Sequence, residues 1–267
     1  MIRRLPILGL ALLASLAAQQ LSLEQKEQFL LKAKIIKTKD LSEGITNSRR
    51  ATLRDGELTH DAHVQTIDEY KSVFQTAMGS ELNFSDSYKY NIAAYKLDRM
   101  LGLGMIPPSV SRKVEGHSAS VTWWVDDTMM TEKERFQKKT SPPDNDAWGR
   151  QMYCVRVFDE LIYNMDRNLG NLVIDKNWTM WMIDHTRAFR MITDLKAPAN
   201  LVKVDRGMLA GLRKLNDADL QKELGQYVNK MQIKGLLARR DRIVKFFDEE
   251  VARKGEAAVL VDLPPRN

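Results

Sequence analysis

The sequence predicts an α+β chain of two lobes, the first strand-rich with one helix and the second mainly helical. Three observations predict it. Residues 58–67 alternate strictly, with Leu58, His60, Ala62 and Val64 on one face and Thr59, Asp61, His63 and Gln65 on the other. From Asp86 the period changes, and Tyr88, Ile92, Tyr95, Leu97 and Leu101 recur at three- and four-residue steps. After residue 200 three helical stretches follow, at about 204–215, 218–228 and 233–254. Strands first and helices afterwards is the α+β order, and we place the lobes at 19–126 and 127–267.

The remaining elements follow in order. Residues 19–33 read as a polar helix, and 34–37, with Ile35 and Ile36, begin a strand. Residues 41–53 read as strand, polar loop around Gly44, and strand. Asp55-Gly56 then supplies a tight turn, since both residues tolerate positive φ. Gly102 and Pro107-Pro108 stop the helix that begins near Asp86. Two strands are expected over 109–125, a loop over 140–146, and a strongly apolar helix over 148–163 carrying Met152, Val155, Val157, Phe158, Leu161 and Ile162.

Composition narrows the class. Of 267 residues, 43% are hydrophobic and 28% charged, which excludes a disordered or collagen-like chain. The single cysteine, Cys154, excludes an internal disulfide, and its apolar helical neighbours make it an inert core thiol. Residues 1–18 run from Arg3 and Arg4 through an apolar stretch to the small residues Ser15, Ala17 and Ala18, the order of a secretory signal peptide. An uncleaved anchor is the alternative, although the apolar run is short of the roughly 20 residues a membrane span needs. The expected compartment is secreted or periplasmic, with no stable membrane span after cleavage. Cleavage removes Arg3 and Arg4 and leaves 39 basic against 35 acidic residues, a charge of +4 where the whole chain has +6. Without a Lys/Arg stripe carrying interleaved aromatics, nucleic acid is not an expected partner.

Chemistry concentrates after the 148–163 helix. Asn164-Met-Asp166-Arg167-Asn168-Leu-Gly170-Asn171 leads through a hairpin to Ile183-Asp184-His-Thr-Arg187-Ala-Phe189. Asp166 and Asn171 are five apart, and Asp184 lies thirteen beyond Asn171. Such a set suits phosphoryl transfer: one carboxylate accepts the proton of the acceptor hydroxyl, while an amide and a second carboxylate hold Mg²⁺ on the nucleotide phosphates. A strand-turn-strand between Asn171 and Asp184 would bring both to one end of a hairpin.

The block Asp-Arg-x-x-Gly-Asn followed by Ile-Asp resembles the catalytic and metal motifs of phosphatidylinositol 3- and 4-kinases and HipA-type kinases. With Asn-Met-Asp-Arg and Asp-x-x-Arg-x-Phe it looks still more like the secretory-pathway Golgi casein kinases. The run Ile92-Ala-Ala-Tyr95-Lys-Leu-Asp-Arg99-Met-Leu-Gly102 with Pro107-Pro108 is similar to the first-lobe helix of that family. The resemblance spans residues 34–252, and only 166–189 is specific. It implies a two-lobed protein-kinase-like fold and transfer of phosphate from ATP, or another nucleotide, with Mg²⁺ or Mn²⁺. Asp166 would be the catalytic base, Asn171 and Asp184 the metal ligands, and the loop around Gly44 would cover the phosphates. The acceptor is open, because such families phosphorylate proteins, sugars or lipids.

The chain departs from these families at two linked positions. Gln65 falls where the third strand carries a lysine, and Asn91 where the facing helix carries a glutamate. A lone survivor of that ion pair would be a buried, unpaired charge, so a joint change to amides is coherent. Two amides still hydrogen-bond, but neither neutralises phosphate. Lys71, Arg49 and Arg50 are candidate replacement cations. The expected function is therefore a kinase-like phosphotransferase, and the alternative is a pseudokinase acting as a nucleotide- or protein-binding module. A metal-dependent hydrolase is disfavoured, because no second His/Asp set accompanies the first.

Simpler roles are assigned elsewhere. His60 and His63 point to opposite faces of a strand and cannot share a metal from it. Trp123, Trp124, Trp178 and Trp181 read as core and hairpin packing, Arg187 as the partner of a carboxylate, and 239–242 as a solvated basic helix face.

Overall fold

The computed structural model describes residues 21–41, 48–76, 79–264 and 266. The segment read as a signal peptide, and Gly44, lie outside the described residues.

Ser22 starts the first helix: its hydroxyl accepts from the Gln25 N–H, and the Gln25 side chain returns a bond to the Ser22 backbone. Helix α1 (Leu23–Lys32) lays Phe29 and Leu30 on a five-stranded antiparallel sheet. That sheet is built from β1 (Lys34–Asp40), β2 (Arg49–Asp55), β3 (Leu58–Gln65), β6 (Ser109–Val114) and β7 (His117–Trp123), in the order β1-β2-β3-β7-β6. Between β3 and β6 the chain inserts a two-stranded hairpin, β4 (Asp68–Thr76) and β5 (Gly79–Ser87), and helix α2 (Lys89–Leu101). The alternation expected in β3 is present. Ala62 and Val64 are buried in the sheet core with Ala51, Leu53, Val110, Val121 and Trp123, while Asp61, His63 and Gln65 occupy the opposite face.

The chain leaves β7 at Trp123 and runs on to β8 (Thr128–Thr131), α3 (Glu132–Gln137) and α4 (Asn145–Ile162). Asp144 caps α4 by accepting from the Asp146 and Ala147 N–H groups, which starts the helix three residues before its apolar run. The hairpin β9 (Leu172–Asp175) and β10 (Met180–Met182) joins β8 in a small sheet ordered β10-β9-β8. Beyond it lie β11 (Val204–Asp205), α5 (Arg206–Lys214), α6 (Asp217–Leu224), α7 (Lys230–Lys254), α8 (Glu256–Val259) and β12 (Leu260–Val261). A sheet-rich first part and a helical second part match the expected α+β architecture.

The two cores do not divide where the chain changes character. Tyr90, Ala93, Leu97 and Leu101 of α2 belong to the large core formed with α4 to α7, β9 and β10. The helix therefore sits between the sheet and the helical part and carries side chains to both.

Four expectations need correction. The β4–β5 hairpin and the six-residue α3 are absent from the sequence-based account. The expected helix start near Asp86 is still strand; α2 begins at Lys89. The basic run at 239–242 is a solvated face only at Asp241 and Arg242: Arg239 is fully buried, and its guanidinium donates to the carbonyls of Leu161 (2.8 Å), Arg190 (3.0 Å) and Ile192. Trp123 does pack as expected, stacked on His60 at 3.6 Å, and Cys154 is buried and free. Among the described residues no helix is long and apolar enough to cross a membrane.

Candidate catalytic and metal site

Helix α4 ends at Tyr163 in a left-handed conformation (φ 50°), which turns the chain sharply into the loop bearing Asp166. Asn164 stabilises that turn: its side chain donates to Asp159 Oδ1 at 3.0 Å and accepts from the Asp166 N–H at 3.0 Å. Asp166 itself is exposed.

Arg167, its neighbour, organises the site. Its Nε and Nη2 donate to the two oxygens of Asp159 at 2.9 and 3.1 Å. Nη1 donates to the carbonyls of Asn171 and Ile183, both at 2.9 Å, and Nη2 to His185 Nε2 at 2.9 Å. All five guanidinium protons are thereby used. One side chain thus ties the end of α4 to both ends of the β9–β10 hairpin. Because arginine only donates, Nε2 of His185 must accept, which places that ring's proton on Nδ1. Burial and the adjacent Arg167 charge hold His185 well below the usual histidine range, so it stays neutral.

The hairpin brings Asn171 and Asp184 to one end, and the Ile183 N–H donates to the Asn171 carbonyl at 3.1 Å. Asn171 Nδ2 donates to the Asp166 carbonyl at 3.2 Å. Asp184 is held at φ 52°, a left-handed conformation uncommon outside glycine and asparagine-like residues. Its Oδ1 accepts from the Thr186 hydroxyl at 3.1 Å. Burial raises the Asp184 carboxyl above the usual range and the Asp166 charge raises it further, against the lowering effect of Thr186 and Arg167.

Gln65 and Asn91 meet. Asn91 Nδ2 donates to Gln65 Oε1 at 2.8 Å and lies 3.4 Å from Ser120 Oγ, while Asn91 Oδ1 accepts from the His185 N–H at 2.7 Å. The amide pair is buried, and it bridges β3, α2 and the loop that carries Asp184. The three candidate cations are all bonded to carboxylates: Arg49 to Glu115 at 2.7 Å, Arg50 to Asp61 at 2.5 Å, and Lys71 to Glu69 at 3.1 Å. Each is thus neutralised where it stands. Burial also pushes His63 down to about 4, so it adds no positive charge to its face of the sheet. Arg187 does pair with a carboxylate, at 2.5 Å; the partner is Glu81 of β5, which also holds Arg190 at 2.6 Å.

A divalent ion fits this donor set. Among the described residues no group of three or more His, Cys, Asp or Glu side chains could hold a metal. Mg²⁺ sites of the nucleotide-binding kind need less, one or two carboxylates completed by phosphate oxygens and water. A half-buried carboxyl whose charge is disfavoured by Asp166 is the chemistry a cation relieves.

Sequence reasoning missed Arg167 and Asp159. Arg167 was visible beside Asp166, but its five-way role depends on carbonyls that only the fold assembles.

Two lobes, a sheet bridged to a helix and to a carboxylate-bearing hairpin, define a kinase-like fold. The solved structures similar to it agree. Hydra Fam20 with sugar superposes with a TM-score of 0.67 at 12% identity, covering 90% of this chain and 92% of that chain. The Golgi casein kinase with Mn/ADP bound gives 0.64 at 14% identity, covering 91% and 80%. The Helicobacter pylori proinflammatory kinase CtkA gives 0.50 at 9% identity, covering 81% and 93%. At these identities the likeness establishes the fold alone, a kinase-like one shared with the Fam20 and Golgi casein kinase structures. No family model matches the sequence, and no curated protein matches it.

Proposed function

We propose that the protein is a secreted or periplasmic kinase-like phosphotransferase that moves phosphate from a metal-bound nucleotide to an acceptor hydroxyl. The observation that carries this is the convergence of Asn171 and Asp184 at one end of a hairpin, beside Asp166, through the single guanidinium of Arg167. Asp166 takes the proton of the acceptor hydroxyl as it attacks. Asn171 and Asp184 hold Mg²⁺ or Mn²⁺, which when bound offsets the charge of the nucleotide phosphates. Arg167 positions all three by fixing the backbone that bears them. The acceptor is a protein, sugar or lipid.

The pseudokinase reading has its own support. The Gln65/Asn91 bridge stands where an ion pair would grip phosphate, and Arg49, Arg50 and Lys71 are each paired elsewhere. Under that reading the nucleotide is a structural ligand or is not bound.

One experiment separates them. The mature protein is heated with ATP and Mn²⁺, and incubated with radiolabelled ATP and water or a generic acceptor, beside Asp166→Ala and Asp184→Ala. A nucleotide at a hundred times its dissociation constant stabilises by about 2.7 kcal/mol. Stabilisation lost in Asp184→Ala, with transfer lost in Asp166→Ala, supports phosphotransfer. Stabilisation with no transfer by the unsubstituted protein supports the pseudokinase. No stabilisation at millimolar nucleotide overturns metal-nucleotide binding.

A further inference from the structure

His60 of β3 takes no part in the catalytic scheme above, yet both of its ring nitrogens are engaged. Nδ1 lies 2.7 Å from the Asp61 carbonyl and Nε2 2.6 Å from Asp126 Oδ1. A carbonyl and a carboxylate only accept, so each contact is a hydrogen bond only if the ring nitrogen donates. Trp123 Nε1 donates to the other carboxylate oxygen, Oδ2, at 3.0 Å, and Lys26 Nζ of α1 lies 3.7 Å from it. Partial burial raises the Asp126 carboxyl, but the hydrogen bonds from His60 and Trp123 and the His60 and Lys26 charges outweigh it, so Asp126 is ionised and brings no proton of its own. The ring therefore carries both protons.

Asp126 sits where the chain passes from one part to the other. Residues 124–127 connect β7 of the large sheet to β8 of the small one. On the sheet side the Trp124 N–H donates to the same Asp61 carbonyl at 3.1 Å, and the Arg50 guanidinium lies over the Trp124 ring at 4.3 Å. On the other side the Asp127 carboxylate pairs with Lys176 Nζ at 2.5 Å, and its carbonyl accepts from the Lys176 N–H at 3.0 Å, in the turn between β9 and β10. Adjacent residues of the connection are thus tied to opposite parts, Asp126 to the sheet and Asp127 to the β9–β10 turn.

The charged groups around the His60 ring are Asp126 on the connection, Lys26 on α1, Asp61 on its own strand and, through Asp61, Arg50 on β2. The Asp61 carboxylate is taken by Arg50 at 2.5 Å and by the Thr52 hydroxyl at 2.6 Å, so it does not compete for the ring. A neutral imidazole has one N–H and cannot keep both of its bonds. Nδ1 is the nitrogen that keeps its proton. The Asp61 carbonyl is fixed in the strand ladder, and the ring is held by its stack on Trp123 at 3.6 Å. The Asp126 side chain, 53% exposed, can instead turn its Oδ1 to water.

We propose that His60 and Asp126 form a proton-operated clamp on the connection 124–127, closed while the ring carries two protons and opened when Nε2 gives its proton to water. Histidine is the side chain that changes charge between about pH 5 and 8, so the clamp responds to the acidity of the medium. The stability it contributes is present while the ring is charged and is lost as pH rises. The inference goes beyond the phosphotransferase reading and does not rest on it, since a pseudokinase would carry the same clamp.

The test follows the His60 ring by ¹⁵N NMR in the full mature chain from about pH 5 to about pH 8, with amide hydrogen-exchange protection and thermal midpoints measured alongside. Burial pushes His63 down to about 4 and holds His185 well below the usual histidine range, so both stay neutral, and His117→Asn separates the exposed His117 from His60. Two protonated ring nitrogens are expected at the acid end and an Nδ1–H tautomer at the alkaline end. Over the same rise the Trp124 and Lys176 amides should lose protection about 10-fold, after correction for the intrinsic pH dependence of exchange. The midpoint advantage of the unsubstituted protein over His60→Gln should be largest at the acid end and shrink toward the alkaline end. In Asp126→Asn the amide can donate to a neutral Nε2 while its oxygen keeps Trp123 Nε1, so protection should persist at the alkaline end; this variant carries the test should His60→Gln not fold. A ring that holds one proton throughout, or an Nε2–H tautomer at the alkaline end, overturns the inference. So does unchanged protection of Trp124 and Lys176 while the ring titrates, or protection in Asp126→Asn that falls as it does in the unsubstituted protein.

Discussion

Asn91 donates its side-chain N–H to Gln65 Oε1 at 2.8 Å and, from the other end of the same amide, accepts the His185 N–H at 2.7 Å. Sheet, helix and the loop bearing Asp184 thus meet on one carboxamide. In the protein-kinase-like arrangement that the sequence resembles, a Lys/Glu ion pair would stand here. The amide version needs no charge in a buried position, and it adds a tether to the loop.

Restoring one charge alone should therefore be harmful. Gln65→Lys or Asn91→Glu singly places an unpaired charge in a buried site, and each is expected to lose about 3–5 kcal/mol in urea unfolding. The double variant regains part of that, with a coupling of about 0.5–3 kcal/mol in the cycle. Strict additivity would show that the two positions do not interact.

Arg167→Lys keeps the charge and loses the fork. A lysine ammonium has three donors and cannot reach Asp159, Asn171, Ile183 and His185 together. Stability should fall by at least about 2 kcal/mol, since several charge-assisted bonds are lost. Mn²⁺-nucleotide stabilisation should disappear as well, because the backbone bearing Asn171 and Asp184 is no longer fixed. A lysine variant that binds as tightly as the unsubstituted protein would contradict this positioning role.

The β4–β5 hairpin is tethered at Glu81, which takes Arg187 at 2.5 Å and Arg190 at 2.6 Å, while Arg190 Nη1 donates to the Asn83 carbonyl at 3.1 Å. Glu81→Gln leaves two guanidinium groups short of a counter-charge. The cost should be about 1–3 kcal/mol, and it should be concentrated locally. Limited proteolysis would then cut within residues 68–87 earlier than elsewhere in the chain. Uniform cleavage kinetics would show that the tether does not hold the hairpin.

The same hairpin shows where sequence reasoning runs out. The β3 alternation was legible because one face is buried, so Ala62 and Val64 had to be apolar. The Asp166, Asn171 and Asp184 spacing was legible because one short hairpin joins the latter two. By contrast, among the described residues β4 and β5 pair only with each other, and Tyr70, Val73 and Leu82 are exposed on them. With so little buried on either face, the period-two signal is weak. Arg239 was misjudged for a related reason. Its charge suggested solvent, whereas the fold supplies three carbonyls from distant segments to receive it.

Asp98 sets a pH dependence that can be isolated. It is fully buried on α2, its Oδ1 accepts from the Met105 N–H at 2.9 Å, and its Oδ2 has no partner. Burial pushes its carboxyl up to about 7, against the lowering effects of the Met105 hydrogen bond and the Arg266 charge. A raised native value means that the folded state holds the proton more tightly than the unfolded chain. Between the ordinary carboxyl value of 3.8 and about 7 the native state therefore binds more protons, and stability falls as pH rises through that window. Asp98→Asn removes the titration and retains an oxygen for the Met105 N–H. Other ionisable groups act equally on both proteins, so the difference in thermal midpoint between variant and unsubstituted protein isolates Asp98. That difference should move in favour of the asparagine variant from pH 5 to pH 8. A constant difference across that range would mean that Asp98 ionises alike in the folded and unfolded states, and that Arg266 fully compensates its burial.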